Sequence, residues 1–276
     1  MKRDFFKDKV VIVTGASSGI GLAAARHFGS LGAKVVMAAR RLDLLESLAG
    51  SVAPEGKVLC LRCDVSLEED CNALIKSAIE HFSRIDVLVN NAGISMRANL
   101  LDLDLKVLKS LMDVNFWGTV YCTKAALPYL LESKGTVVGV VSVAAFSPLP
   151  ARSGYGSSKF AVRGFLDTLR IEHLRDGLNV LVFAPGYTSS NVRNAALTAD
   201  GSPQGETPLE EGKLMSAESV AEKLAKAISA RRRQQILTPI GKITVFLRGI
   251  FPSLIDRLTL MYIAREGQVP QSKRNE

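Results

Sequence analysis

Val10-Val11-Ile12-Val13-Thr14-Gly15-Ala16-Ser17-Ser18-Gly19-Ile20-Gly21 begins as a run of β-branched residues, breaks at a glycine-rich turn, and passes into a stretch whose apolar residues recur with helical period to about Leu31. The first part reads as a buried strand and the last as an amphipathic helix. Gly15, Gly19 and Gly21 then lie between strand and helix, where a glycine motif has a physical use. Without Cβ atoms the chain can turn tightly and bring its backbone against a pyrophosphate, whose charge the helix N-terminus holds. Ser17, Ser18 and Ile20 share the turn and are expected to contact the same cofactor.

Outward from this unit the alternation continues. Strands are predicted over 34–39, 57–63, 86–89, 136–142 and 179–183, with a short last one near 235–238. Helical patterns fall between them over 42–48, 67–82, 103–131 (bent near Gly118), 155–175 and 217–230. Parallel strands need crossover connections, so this order implies an α/β fold: a Rossmann-type, doubly wound parallel sheet with helices on both faces. With 276 residues and 47% hydrophobic content, one domain is expected. Residues 1–240 would form its cofactor-binding and catalytic body, with a lid over about 187–215, and 241–276 a C-terminal extension.

Other classes find little support. The start, Met1 to Lys9, is charged, and the apolar run Val10 to Val13 is too short for a signal peptide. No stretch supplies the ~20 apolar residues of a spanning helix. A cytoplasmic location is therefore expected. Cys60-Leu61-Arg62-Cys63 lies on a predicted strand, where residues three apart point to opposite faces, and no second Cys or His pair completes a zinc set, so no metal is expected. The three histidines accompany no Gly-x-Ser-x-Gly elbow, which leaves a serine hydrolase without support. Arg231-Arg232-Arg233 has no interleaved aromatics, and nucleic acid is not an expected partner.

Chemistry concentrates in Tyr155-Gly156-Ser157-Ser158-Lys159, with Ser142 thirteen residues upstream. A phenol and an ammonium four residues apart share a helix face, so the cation can favour the phenolate and make the tyrosine usable for proton transfer. Taken alone, Tyr155 could equally be an amphipathic residue at a helix start and Ser142 the end of a strand. Several further signals stand in order: Asp64-Val65 after the third strand, Asn91-Ala92-Gly93 after the fourth, Asn115 in the long helical stretch, and Pro185-Gly186 after the sixth strand.

With this ordered set, over about residues 7 to 240, the chain resembles the short-chain dehydrogenase/reductase family. The resemblance implies that Asp64 and Val65 approach the adenine, that Asn91, Ala92 and Gly93 line the adenosine side, and that Tyr155 and Lys159 lie against the nicotinamide ribose. It also implies that Thr188, beyond Pro185-Gly186, approaches the carboxamide. Asn115 would support a water-mediated proton route. In the reductive direction Tyr155 would protonate the developing alkoxide while Ser142 positions its oxygen. A homodimer or homotetramer is expected. The alternative function is a non-catalytic NADP(H)-binding sensor or a membrane-surface adaptor.

The second strand ends in Ala38-Ala39-Arg40-Arg41, without the acid that would accept ribose hydroxyls and repel a 2′-phosphate. NADP(H) is favoured over NAD(H), with Arg40 as the phosphate contact. Ser18 stands where a basic residue often precedes the second glycine in NADP-using relatives, so one of two basic contacts is visible.

Nine Lys or Arg against three acids from residue 230 onward give the tail +6 of the total +8. Ile243, Phe246, Leu247, Ile250 and Phe251 recur there at helical spacing, and Ser253 can cap a second helix. Two short helices beside the substrate mouth are predicted. Their apolar face suits core or dimer packing, and with the basic residues also reversible contact with an anionic membrane. The tail looks like that of lipid-associated reductases, and Val143, Ala144, Ala145, Phe146, Pro148 and Leu149 suit a lipophilic ketone as substrate.

Overall fold

The computed structural model describes residues 4–188, 195–205 and 214–265. Its first half runs β1 (Val10–Thr14), α1 (Gly19–Ser30), β2 (Lys34–Ala39), α2 (Leu42–Ala49), β3 (Val58–Arg62), α3 (Glu68–Phe82), β4 (Val87–Asn90) and α4 (Leu105–Leu111). The second half runs α5 (Gly118–Glu132), β5 (Thr136–Val140), α6 (Ser153–Glu172), β6 (Asn179–Ala184), α7 (Ala217–Ser229), β7 (Gln234–Ile236), α8 (Pro239–Arg248) and α9 (Pro252–Arg265). The strands pair in parallel in the order β3-β2-β1-β4-β5-β6-β7, the doubly wound sheet expected from the alternation.

Alternate residues of each strand serve the two faces. Val11, Val13, Val35 and Met37 pack into the layer of α1, α2 and α7, with Phe28, Leu45 and Leu224. Val10, Ile12, Val36 and Ala38 pack into the layer of α3, α5 and α6, with Leu74, Ala126 and Leu166. Both faces are covered, which is why the strands read as continuous apolar runs rather than alternating ones. The start of β1 is pinned by buried Asp86, which accepts from Val10 N at 2.9 Å and pairs with Arg84 at 2.7 Å. The strand order reverses at β1 and β4, and a doubly wound sheet places its binding crevice at such a switch point, outside the strands' carboxyl ends.

The helix predicted over 103–131 differs in a telling way. It is interrupted by a π-helical turn, Met112–Trp117, and resumes as α5 at Gly118. A Cβ on Gly118 would lie 2.8 Å from Val65 Cγ2, so the glycine permits α5 to sit against the loop after β3. The widened turn carries Asn115, in keeping with the concentration of π turns at functional sites.

Part of the predicted lid, 189–194 and 206–213, lies outside the described residues. Of the remainder, Thr188 bridges to Met215 and Leu197 to Met96. The tail forms the two expected helices, but with a different face inward. Gly241, Val245, Ile255 and Ile263 meet the body, while Ile243, Phe246, Ile250 and Phe251 of the predicted stripe remain more than half exposed. Gly241 accounts for this choice: a Cβ there would stand 2.6 Å from Thr238 Oγ1 and 3.0 Å from Val143 Cγ2, so α8 lies closest along its glycine face. Arg248 ties the two helices by pairing with Asp256 at 2.5 Å.

Candidate active site

The glycine turn has the shape required to cradle a nucleotide. Gly15 and Gly19 hold φ values of +66° and +53°, the left-handed region that suits glycine. Gly21 lies where a Cβ would fall 2.2 Å from the Gly15 carbonyl oxygen, so α1 begins immediately beneath the turn. Ser18 caps α1 without a side-chain hydrogen bond, and Ser17, Ser18 and Ile20 line the crevice with the glycines.

The turn is tied to β4 by polar groups. Thr14 Oγ1 accepts from Asn91 N at 3.1 Å and Ala92 N at 3.0 Å, and Asn91 Nδ2 donates to Thr14 O at 2.9 Å. Thr14 was not singled out by the sequence reading, although it stands at the head of the glycine motif. A hydroxyl at the end of a buried strand, facing a neighbouring loop's N–H groups, is the signal that could have found it.

Arg40 is exposed at the end of β2 and, with Arg41, lines the same crevice. Asp64 follows β3; its Oδ1 accepts from Ser66 N at 3.0 Å and Ser66 Oγ at 2.7 Å, which fixes the carboxylate, and Val65 is buried beside it. Pro185 and Gly186 follow β6, and a Cβ on Gly186 would strike Thr238 Cγ2 at 2.3 Å. Buried Thr188 donates from Oγ1 to Gly186 O at 3.0 Å. All these residues converge on one cavity of about 1820 Å³ that also contains Ser142, Tyr155 and Lys159. The glycine turn and the crevice at the switch point fit a nicotinamide dinucleotide.

At the chemical centre, Ser142 stands two residues beyond β5, its Oγ accepting from Ala144 N at 3.2 Å, and lines the cavity with Tyr155. Burial raises the phenol's pKa, and the neighbouring Ser142 hydroxyl and Arg152 charge oppose the rise. Lys159 is 5% exposed, and its Nζ donates to Val140 O at 3.0 Å. Desolvation pushes its pKa down to about 8. Nζ also lies 5.9 Å from the Tyr155 ring centre, so the spacing of four residues does bring phenol and ammonium to one face of α6.

Gly93 separates two of the predicted side chains. A Cβ there would stand 2.9 Å from Asn115 Oδ1 and 3.3 Å from Lys159 Nζ, so the glycine lets Asn115 and Lys159 converge on the loop after β4. Asn115 itself is committed to structure: Oδ1 accepts from Ile94 N at 2.8 Å, and Nδ2 donates to Ile94 O at 3.0 Å and Ser158 Oγ at 2.9 Å. It cross-links the π-helical turn, the loop after β4 and α6. Its carbonyl accepts from Thr119 Oγ1 at 2.8 Å.

The chain matches the family model for the short chain dehydrogenase over residues 9–200. "Dehydrogenase/reductase SDR family member 7B" of Bos taurus is 36% identical over 266 residues, covering 93% of this chain and 82% of the relative. "11-beta-hydroxysteroid dehydrogenase 1A" of Arabidopsis thaliana is 34% identical over 283 residues, covering 97% and 79%. Among solved structures, an alcohol dehydrogenase from Thermococcus sibiricus complexed with 5-hydroxy-NADP has a TM-score of 0.73 at 28% identity, covering 84% of this chain and 96% of that one. A short chain dehydrogenase/reductase from Burkholderia phymatum in complex with NAD has a TM-score of 0.78 at 25% identity, covering 90% and 95%.

Proposed function

The chain belongs to the short-chain dehydrogenase family, nicotinamide-dependent oxidoreductases of CH–OH and C=O groups, and from that membership we propose that it is an NADPH-preferring reductase of lipophilic ketones. The observation that carries the reading is that Ser142, Tyr155 and Lys159, the last fixed by Val140 O, face one cavity together with the glycine turn and Asn91. The nicotinamide, when bound, supplies hydride to the carbonyl carbon or takes it from the alcohol. The chain's own residues do the rest. Ser142 and Tyr155 hold the substrate oxygen from one side, and Tyr155 gives its hydroxyl proton to that oxygen as charge develops there. Lys159, fixed by Val140 O, holds the cofactor ribose and steadies the phenolate left on Tyr155. Asn115 serves by anchoring the loop at Gly93 and supports the return of a proton through water.

Arg40 is assigned to the 2′-phosphate, with Gly15, Ser17, Ser18, Gly19, Ile20 and Gly21 around the pyrophosphate. Asp64, Val65, Asn91, Ala92 and Gly93 are assigned to the adenosine half, and Pro185, Gly186 and Thr188 to the nicotinamide end. The lipophilic part of the reading is supported by the cavity wall that the tail provides, with Leu247, Ile255, Leu258 and Met261. The plant relative, named as a hydroxysteroid dehydrogenase, points the same way. A cytoplasmic enzyme in reversible contact with anionic membrane, acting as a homodimer or homotetramer, completes the proposal. No described helix is long and apolar enough to cross a membrane. The test is a panel of ketones and secondary alcohols offered with each cofactor, followed by absorbance of the reduced nicotinamide. Turnover of water-soluble carbonyls alone would remove the lipophilic assignment, and no turnover with any of them would remove the reductase reading.

A further inference from the structure

Asp64 and Val65 line the cavity, and the loop that carries them is fastened by the start of α3. Asp64 N donates to Asp70 Oδ2 at 2.8 Å, Asp64 O accepts from Leu67 N at 3.0 Å, and Val65 O accepts from Cys71 Sγ at 3.5 Å. Val65 also abuts Gly118 of α5, where a Cβ would fall 2.8 Å from Val65 Cγ2. Asp70 itself does not line the cavity.

Leu67, the residue that caps α3, gives the first turn no side-chain hydrogen bond, and Glu68, Glu69 and Asp70 supply the negative charge that suits a helix N-terminus. For that dipole the three acids are equivalent. For Asp64 N they are not: among the described residues its acceptor is Asp70. A hydrogen bond to a carboxylate is stronger than one between neutral groups, and losing the acceptor at a poorly solvated place leaves the N–H unmatched. The Asp70 side chain is 24% exposed. Arg62, whose Nη1 lies 3.7 Å from the same oxygen, is mostly in solvent and adds little.

We infer that Asp70 is a positioning residue for the adenosine half of the cofactor: from behind the cavity wall its carboxylate holds Asp64 and Val65 in the place that receives the adenine. This role rests on the nicotinamide-cofactor reading and on the assignment of Asp64 and Val65 to that half. A loop already fixed in its binding shape has less freedom to lose when the nucleotide arrives, so Asp70 acts on affinity. Tyr155 and Lys159 stand on α6, and Asp70 has no part in their chemistry.

The test is a set of titrations on the full chain. Dissociation constants are measured for the preferred nucleotide (NADPH or NADH), for its adenosine fragment (adenosine 2′,5′-bisphosphate or AMP) and for reduced nicotinamide mononucleotide. Asp70→Leu removes the acceptor and its charge, Asp70→Asn removes the charge and keeps a carbonyl acceptor, and Glu69→Gln removes a first-turn charge alone. Asp70→Leu is expected to raise the first two constants by the same factor, about tenfold, and to leave the third unmoved. Asp70→Asn should stay within about threefold of wild type, and Glu69→Gln should match wild type. Equal weakening of all three ligands, or a loss in Asp70→Asn as large as in Asp70→Leu, would overturn the role and leave Asp70 as a stabiliser of α3. So would constants that do not move. Should the mononucleotide bind too weakly to titrate, the first two factors decide, since a loss spread over the whole cofactor would exceed the loss in its fragment.

Hydrogen exchange reads the bond itself. In the cofactor-free chain the Asp64 amide should exchange about tenfold faster in Asp70→Leu than in Asp70→Asn, and equal rates count against the role. If Asp70→Leu does not fold, Asp70→Ala, which admits water at the vacated place, carries the same comparisons with a severalfold loss expected. None of these measurements needs turnover. A chain that reduces no ketone yet shows the pattern loses the reductase reading and keeps the Asp70 role, and ketone reduction with constants unmoved by Asp70→Leu does the reverse. Failure of the wild type to bind either nucleotide would remove the cofactor reading and the Asp70 role together.

Discussion

Lys159 donates from Nζ to the carbonyl of Val140 across 3.0 Å, tying the helix that carries Tyr155 to the strand that ends two residues before Ser142. The bond fixes α6 against β5 at the level where proton transfer must occur. It also buries an ammonium with one identified acceptor, which is why desolvation dominates the downward pKa shift. The same residue is therefore costly to stability and assigned to function.

This cost depends on pH with a definite sign. The Lys159 pKa is about 8 in the folded chain against an ordinary 10.5, so between those values the unfolded chain binds more protons and stability rises with pH. Above about 10.5 neither state is charged and the penalty is gone; below about 8 the folded state carries all of it. Thermal melts of cofactor-free wild type and Lys159→Met between pH 8 and 10 should show the wild type gaining on the variant as pH rises. A constant difference would mean that the ammonium is not desolvated as described. Lys159→Met should also lose both turnover and cofactor affinity, and an unchanged cofactor Kd would remove the ribose assignment.

Tyr155→Phe removes one hydroxyl from the cavity it shares with Ser142 while leaving the ring in place. The fold and cofactor binding should survive, whereas kcat should fall by about 10²–10⁴, the usual value of a positioned proton donor. Circular dichroism and nucleotide fluorescence check the first expectation, steady-state rates the second. Turnover near wild type would mean that another group protonates the product oxygen.

How much of this was legible beforehand follows from the kind of interaction concerned. The strand run into Gly15, Gly19 and Gly21 announced the doubly wound sheet because turn sterics and β-branching act locally, within a dozen residues. The pair Tyr155 and Lys159 was legible because helical spacing alone puts them together. The π-helical turn at Asn115 was not: the contacts around it, Gly118 against Val65 and Asn115 bonded to Ile94 and Ser158, join segments far apart in the sequence. Nor was the inward face of α8. A hydrophobic stripe suggested Ile243, Phe246 and Ile250, but close approach at Gly241 turned that stripe outward.

Cofactor choice should turn on Arg40, exposed at the end of β2 with no acid at that strand's end. A charge-assisted bond to a phosphate contributes about 1.5–3 kcal/mol, so Arg40→Ala should raise the KM for NADPH by about 10–150-fold and leave that for NADH nearly unmoved. Steady-state kinetics with both nucleotides decide it. Equal losses would take Arg40 out of the phosphate site and turn the same test to Arg41, its neighbour in the chain, which lines the same crevice.

The outward stripe of α8 is what the membrane reading must stand on. Phe246 is 69% exposed, Ile243 57%, and Ile250 and Phe251 54% each, while Leu254, Leu258 and Met261 of α9 stay about half exposed beside the cavity wall. Lys242 and Arg257 are exposed on the same two helices, whereas Arg248 is occupied by Asp256. With ~1 kcal/mol for each basic residue near an anionic surface, attachment should be measurable at low salt and weak at high salt, as screening shortens the reach of each charge. Sedimentation with phosphatidylserine-containing and purely phosphatidylcholine vesicles, at low and high salt, reads this directly. Phe246→Ser with Phe251→Ser should lower binding to both vesicle types, and Lys242→Glu with Arg257→Glu should lower it only on the anionic ones. Absence of anionic-vesicle binding at low salt, together with a mass by light scattering that falls when Phe246 and Phe251 become serine, would assign the stripe to contact between copies of this chain instead.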